Sequence, residues 1–275
     1  MKPSNDIESV ILDMITRTTR RYSRSDVVRE LIGTFTKADL KKAFDSLISL
    51  QELEYIYEYG QSYLVPAFNK PVRISEHIRL VPFNCSPPRN SEGGTIDIRL
   101  ENGSAFGSGR HPSTQLALSC VEKVFRYPDK YGPIPGEQIL DIGTGSGVLV
   151  IAAILLGAKK ARAIDLDPCA VAEARHNIEL NHMENKIRVS GKPFEPGGEK
   201  YAMVLANLRL PSLTGISTII TSGSTDNAIA VFSGIKKEEV NSLKTTYARL
   251  GWENLHQEDS LGWSAIIAKK GPKKR

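Results

Sequence analysis

Hydrophobic positions along the chain follow two successive patterns, and up to about residue 50 they recur at helical spacing. Ile7, Val10, Ile11, Met14 and Ile15 stand at i, i+3, i+4, i+7 and i+8, one stripe of an amphipathic helix. "SDVVRELIG" predicts a second helix, capped by Ser25 and stopped at Gly33. A third begins at "TKADL", where Thr36 and Asp39 have the spacing of an acidic capping box and Leu40, Ala43, Phe44 and Leu47 share a face. "LEYIYEYGQSYLVP" then places tyrosines and aliphatics around Gly60, which reads as a β-hairpin ending near Pro66. Three helices and a hairpin predict a winged-helix-like unit over residues 1–70.

Residues 71–100 hold two strand-like runs, "HIRLVPF" and "TIDIRL", separated by the proline- and glycine-rich "NCSPPRNSEGG"; they read as a connector with flap strands. After residue 100 the pattern alternates. The apolar runs "EQILDIG", "ARAIDLD", "KIRVSG", "YAMVLANL" and "NAIAVFSGI" are interleaved with the helix-like "SGVLVIAAILLGA", "PCAVAEARHNIELN" and "KKEEVNSLKTTYARLG". That alternation predicts an α/β fold, a doubly wound parallel sheet with helices on both faces.

In such a sheet the ligand lies beyond the carboxyl ends of the strands, where the first strand turns into the first helix. Gly143, Gly145 and Gly147 fall on that turn, and their missing side chains let a ligand approach the main chain. Asp165, at the end of the second strand, is placed for a bidentate hydrogen bond to two ribose hydroxyls. The glycines run G-x-G-x-G rather than the G-x-G-x-x-G of dinucleotide sites, and Asp141 precedes them. A carboxylate there repels a pyrophosphate and suits an ammonium. S-adenosylmethionine has an amino-acid end, a sulfonium and no phosphate, so it is the cofactor these residues favour.

Charge adds little to this picture. The formal net charge is +5, but "KKGPKKR" at residues 269–275 holds five bases, and the rest of the chain is balanced. The basic isoelectric point is therefore weak evidence for a nucleic-acid partner. Cys85, Cys120 and Cys169 lack CxxC spacing, which argues against a disulfide framework or a zinc site, and the histidines lack metal-ligand spacing, so no metal is assigned. With no signal-like start and no apolar run long enough for a membrane span, the expectation is a soluble, cytoplasmic protein with no membrane partner.

From about Ile96 to Lys269 the chain resembles the methyltransferase family that acts on the eleventh protein of the large ribosomal subunit, a class I S-adenosylmethionine-dependent family. The blocks that carry the resemblance are "GSAFGSGRHPSTQLAL", "ILDIGTGSGVLVIAAILLGAKKARAIDLDPCAVAEARHNIELN", "VLANL", "FSGI" and "EDSLGWSAIIAKK". The resemblance implies a methyltransferase domain over residues 101–268, followed by a basic tail at 269–275. It also implies that Thr114, Gly143, Asp165 and Asn207 contact the cofactor. Asn207, closing the fourth strand, is the expected catalytic residue, its amide orienting a nucleophile or the cofactor's methionine end. Thr114 opens a helix whose free N–H groups would face the site. Phe106 and His111 share the loop before it; Phe106 either packs near the methyl group or anchors the loop, and His111 is either a base or a structural hydrogen-bonding residue. Trp252 and Trp263, in strand-like segments, read as core.

The chain departs from the family pattern in three places. Thr144 stands where the family often has Cys, "LRLPSL" follows Asn207 so that Arg209 could alter the acceptor pocket, and residues 1 to about 70 do not resemble the family's usual substrate-recruiting domain. The expected activity is methylation of amine nitrogens on a protein such as a ribosomal protein, with the N-terminal unit docking the substrate. Three alternatives stay open at this point. They are a nucleic-acid methyltransferase guided by the third helix with Lys37, Lys41 and Lys42, a small-molecule methyltransferase, and a non-catalytic S-adenosylmethionine sensor. Residues 1–75 carry 11 bases against 10 acids, too balanced for an obvious phosphate footprint.

Overall fold

A computed structural model describes residues 7–16, 20–58, 60–85, 94–101, 109, 111–132 and 138–272. Phe106 and the end of the basic tail, Lys273 to Arg275, lie outside the described residues. The chain divides into two compact units, residues 1–69 and 70–275.

The smaller unit contains helices α1 (Ile7–Thr16), α2 (Arg24–Leu31) and α3 (Lys37–Ser49) and a hairpin of β1 (Leu53–Glu58) and β2 (Gln61–Pro66). Its core is the expected set: Ile11 and Ile15 from α1 meet Leu40, Ala43, Phe44 and Leu47 from α3, with Leu53 and Leu64 beneath them. Thr36 caps α3 by accepting from Asp39 N at 3.1 Å. The cap of α2 is Ser23 rather than Ser25. Ser23 accepts from Asp26 N while its own N–H donates to the Asp26 carboxylate, a reciprocal box that Ser25, one residue inside the helix, cannot form. Tyr22 bridges to Leu64 of β2, so the segment between α1 and α2 joins the hairpin.

The larger unit opens with β3 (Val72–Arg73), β4 (Ile78–Pro82) and β5 (Ile96–Leu100), which form a three-stranded sheet of their own. Then follow α4 (Pro112–Arg126), α5 (Pro128–Tyr131), β6 (Gln138–Ile142), α6 (Val148–Leu155), β7 (Lys160–Ile164), α7 (Pro168–Leu180), β8 (Ile187–Ser190) and β9 (Tyr201–Asn207). The chain closes with α8 (Leu210–Gly215), α9 (Ser217–Gly223), β10 (Ser224–Lys236), α10 (Val240–Ala248), β11 (Trp252–Ser260) and β12 (Trp263–Lys270). The main sheet has the order β11-β12-β10-β9-β6-β7-β8; the strands from β10 to β8 are parallel, and β12 runs antiparallel between β10 and β11. This is the doubly wound sheet expected from the alternation, with an antiparallel pair at one end.

Residues 71–100 do more than connect. β5 packs on α6 and α7, and β4 on α4. That cover explains α6, whose residues Val148 to Ile154 are all buried and which therefore has no polar face. Asn181 of α7 clamps β5 by accepting from Arg99 N at 2.9 Å and donating to Arg99 O at 2.7 Å.

Candidate active site

Six of the seven residues expected at the site stand at or just beyond the carboxyl ends of adjacent parallel strands, and Thr114 joins them from the first turn of α4. β6 ends at Ile142 and passes directly into Gly143, Gly145 and Gly147, with φ of 72°, 55° and 83°. A side chain is strained in that left-handed region, which is why glycine occupies all three. At Gly143 space matters too: an added Cβ would lie 2.4 Å from Leu208 Cδ2, so the turn and the residue after Asn207 are packed together. Gly147 backs onto Ala174 of α7, where a Cβ would meet the backbone at 3.4 Å.

Asp165 braces the turn. Its Oδ2 accepts from Gly145 N at 2.9 Å and its Oδ1 from Asp167 N at 3.1 Å. Each carboxylate oxygen accepts more than one hydrogen bond. The half-buried carboxylate can thus hold the loop and still receive a pair of hydroxyls.

Asp141 differs from the expectation. It does not open into a cleft: it is fully buried behind the turn, with Thr144 Oγ1 donating to Oδ2 at 2.6 Å. Burial pushes its pKa up to about 7; the Thr144 hydrogen bond opposes that rise, and the nearby Asp165 charge adds to it. Its Oδ1 has no hydrogen-bond partner among the described residues. Thr144 thus places a hydroxyl donor on this carboxylate.

Asn207 closes β9 and donates through Nδ2 to the buried Thr114 Oγ1 at 3.2 Å. Asn207 Oδ1 is buried without a partner among the described residues. Buried amide oxygens are rarely left unpaired, so this atom, at the expected methyl-transfer position, can accept a hydrogen bond from a ligand. The helix N–H groups of α4 are not free, contrary to expectation. His111 is the N-cap: Ser113 N donates to His111 Nδ1 at 3.2 Å, and Thr114 N donates to His111 O at 2.9 Å. Thr114 therefore meets Asn207 through its hydroxyl, and His111 caps the helix with Nδ1 as the acceptor.

The His111 ring meets the Trp263 ring edge-on at 4.6 Å between centroids. Lys236 Nζ lies 4.0 Å and the Arg209 guanidinium 5.1 Å from the Trp263 ring centre. Trp263 is buried, as expected, yet it packs against the loop before α4 and against Arg209, two residues beyond Asn207. Trp252 is core in the ordinary sense, donating through Nε1 to Thr221 at 2.9 Å.

Three positioning residues escaped the sequence reading. Gly234, with φ 82°, passes so close to Leu208 that a Cβ would lie 2.7 Å from its carbonyl oxygen. Ser233, paired with Asn207 across the sheet, donates to Ser113 O at 2.8 Å and ties β10 to α4. Asn177 of α7 donates to Ser146 O and accepts from Glu101 N, both at 2.9 Å, joining the glycine turn to the end of β5. "FSGI" held the first two in plain view; nothing in local spacing marks Asn177. Sequence spacing also missed the tertiary meeting of Glu76, His77 and Glu122, whose ligand atoms are close enough for a metal ion. The Glu122 carboxylate there already accepts from Ser75 and from the His77 main chain, and His77 Nδ1 lies 2.7 Å from it.

Comparison with known proteins agrees with this geometry. The family described as ribosomal protein L11 methyltransferase (PrmA) matches residues 49–271, reaching further toward the N-terminus than the blocks that carried the resemblance. A ribosomal protein L11 methyltransferase of Alkaliphilus oremlandii is 32% identical over 225 residues, 82% of this chain and 67% of that protein. The protein of the same name from an Exiguobacterium species is 30% identical over 252 residues, 90% of this chain and 74% of its own length. The crystal structure of a ribosomal protein L11 methylase from Lactobacillus delbrueckii subsp. bulgaricus superposes with a TM-score of 0.65 at 24% identity, covering 74% of this chain and all of that one, and shares the fold. The chain belongs to the ribosomal protein L11 methyltransferase family, and it is an S-adenosylmethionine-dependent methyltransferase.

Proposed function

We propose that the chain methylates amine nitrogens of a ribosomal protein, the kind of substrate its relatives are named for. The observation that carries this reading is the unpaired, buried Asn207 Oδ1, aimed by the bond from Asn207 to Thr114. An amine N–H is the donor such an oxygen lacks.

When bound, S-adenosylmethionine supplies a methyl carbon made electrophilic by its sulfonium, so the protein's task is alignment and exclusion of water. Asp165 would receive the ribose hydroxyls, and Gly143, Gly145 and Gly147 would leave the main chain open to the cofactor. Asp141, buried behind that turn, would set the charge beneath the amino-acid end rather than touch it directly. Asn207 Oδ1 would accept one N–H of the acceptor amine and thereby point its lone pair at the methyl carbon. The amine must arrive without its extra proton, and desolvation favours that neutral form. After transfer the new ammonium sheds its proton to water, so no protein base is needed.

In the same reading residues 1–70 are a winged-helix-like module that docks the protein substrate, and the protein works in the cytoplasm. Support comes from the three helices and hairpin, the free thiols of Cys120 and Cys169, and the lack of any helix, among the described residues, long and apolar enough to cross a membrane. A competing reading, methylation of RNA guided by α3, draws on the exposure of Lys37, Lys41 and Lys42. Mass spectrometry of ribosomal proteins incubated with the protein and S-adenosylmethionine tests the choice of atom. Methyl increments on lysine side chains or α-amino groups support the reading; increments confined to carboxyl or amide groups contradict it.

A further inference from the structure

A pronounced concavity of the larger unit lies away from the cofactor turn. It is an open cleft of about 920 Å³ along the edge strand β8, on the flank of the sheet away from the glycines. Its origin lies in the crossover from β8 to β9. Parallel strands are ordinarily joined through a helix that covers the sheet, but residues 191–200 form no helix here. On β7 and β8 the two faces consequently diverge. Ala161, Ala163 and Ile187 are buried, on the face that α6 and α7 pack against. The alternate positions, Lys160, Arg162 and Arg188, point to the opposite face, which the crossover covers only in part, with buried Phe194 beneath the Arg162 guanidinium at 5.8 Å.

That face is strongly cationic. Arg162 and Arg188 are direct neighbours in the β7–β8 register, Arg162 held over the Phe194 ring and against Tyr201, so two guanidinium groups stand side by side on this edge. Lys160, Lys186 and Lys192 also line the cleft, and Arg175 of α7 reaches its edge from the other face, donating to Val189 O at 3.5 Å. Glu184 and Glu199 are the only acids in it. None of the large exposed hydrophobic side chains among the described residues lies in the cleft. Protein-binding surfaces centre on such anchors, whereas surfaces for phosphate backbones are polar and positive, with guanidinium groups able to grip phosphate oxygens in pairs.

From this juxtaposition we infer that the β7–β8 edge of the larger unit is a binding surface for the phosphate backbone of RNA, distinct from the methyl-transfer site. The patch is a local feature, because the charge of the chain outside its basic tail is balanced. The inference does not rest on the identity of the methyl acceptor.

The test is fluorescence anisotropy of a labelled single-stranded RNA oligonucleotide titrated with the full-length protein at several salt concentrations. Two paired variants are compared with the wild type: Arg162→Gln with Arg188→Gln, and the exposed Lys160→Gln with Lys192→Gln, which touches no buried group. Each pair is expected to weaken binding about tenfold and to lower the slope of log affinity against log salt by about 0.7 for each phosphate contact removed. Changing Lys273, Lys274 and Arg275 to Gln should leave most of the binding in place. Failure of the wild type to bind RNA, or unchanged binding in both paired variants, would overturn the inference. Displacement of the RNA by polyglutamate at equal charge concentration would also overturn it, and would point to an acidic protein segment instead.

Discussion

Asn207 at the end of β9 donates to Thr114 in the first turn of α4 at 3.2 Å, a bond that joins two elements 93 positions apart and fixes which way the asparagine amide faces. Thr114→Val keeps the shape and removes the acceptor. The amide then loses its orienting bond, and methyl transfer is expected to fall about fivefold to tenfold, the worth of one ordinary hydrogen bond. Asn207→Ala removes the aligning oxygen itself and is expected to cost about a hundredfold in kcat with a smaller change in KM. Steady-state kinetics on both variants, with circular dichroism to establish folding, checks the ordering.

Gly234 and Gly157 separate two effects of substituting a left-handed glycine. Both have positive φ, but a Cβ at Gly234 would meet the Leu208 main chain at 2.7 to 2.9 Å, while at Gly157 nothing lies within 4 Å. Gly157→Ala should cost about 1 kcal/mol, from backbone strain alone. Gly234→Ala adds overpacking against backbone that cannot rotate away, for a total of about 3 kcal/mol. Urea denaturation of the two variants gives the comparison; equal losses would contradict the close approach.

Asp165→Ala should weaken S-adenosylmethionine binding by about 1 to 3 kcal/mol, read by calorimetry. Part of that loss comes from the loop, because Gly145 N and Asp167 N lose their acceptor as well. Unchanged affinity would remove Asp165 from the cofactor site.

The pH dependence of stability reports on Asp141. Burial holds its folded pKa at about 7, above the usual carboxylate value of 3.8. Between those values the folded protein binds a proton that the unfolded chain has released, so stability falls as pH rises through this window. The contribution is fully present below about pH 4 and lost above about pH 7. Asp141→Asn, which keeps a carbonyl for the Thr144 hydroxyl, should flatten this part of the Tm profile; superimposable profiles for variant and wild type would contradict the assignment.

The architecture was legible because local patterns carried it. The stripe from Ile7 to Ile15, the Thr36 cap and the alternation after residue 100 each reflect one element's own burial, and the structure returns each of them. The glycine turn was legible for the same reason, since left-handed geometry leaves its mark in adjacent residues. What local pattern could not show was who covers whom. α6 is apolar all round because β5 and α4 enclose it, and residues 71–100 looked like a connector only when read alone. The Asn177 link, the burial of Asp141 and the use of His111 as a cap all depend on partners far away in sequence or on the direction a side chain takes. The basic face of β7 and β8 was hidden similarly: Arg162 and Arg188 become neighbours only through strand register.

The most direct test of the central claim is transfer of labelled methyl from S-adenosylmethionine to separate samples of ribosomal proteins and of ribosomal RNA, using wild-type protein and Asn207→Ala. The expected result is label in a ribosomal protein with the wild type and its near loss with the variant, while the variant still binds the cofactor. Label appearing only in RNA, or equal protein labelling by the wild type and the variant, would contradict the account.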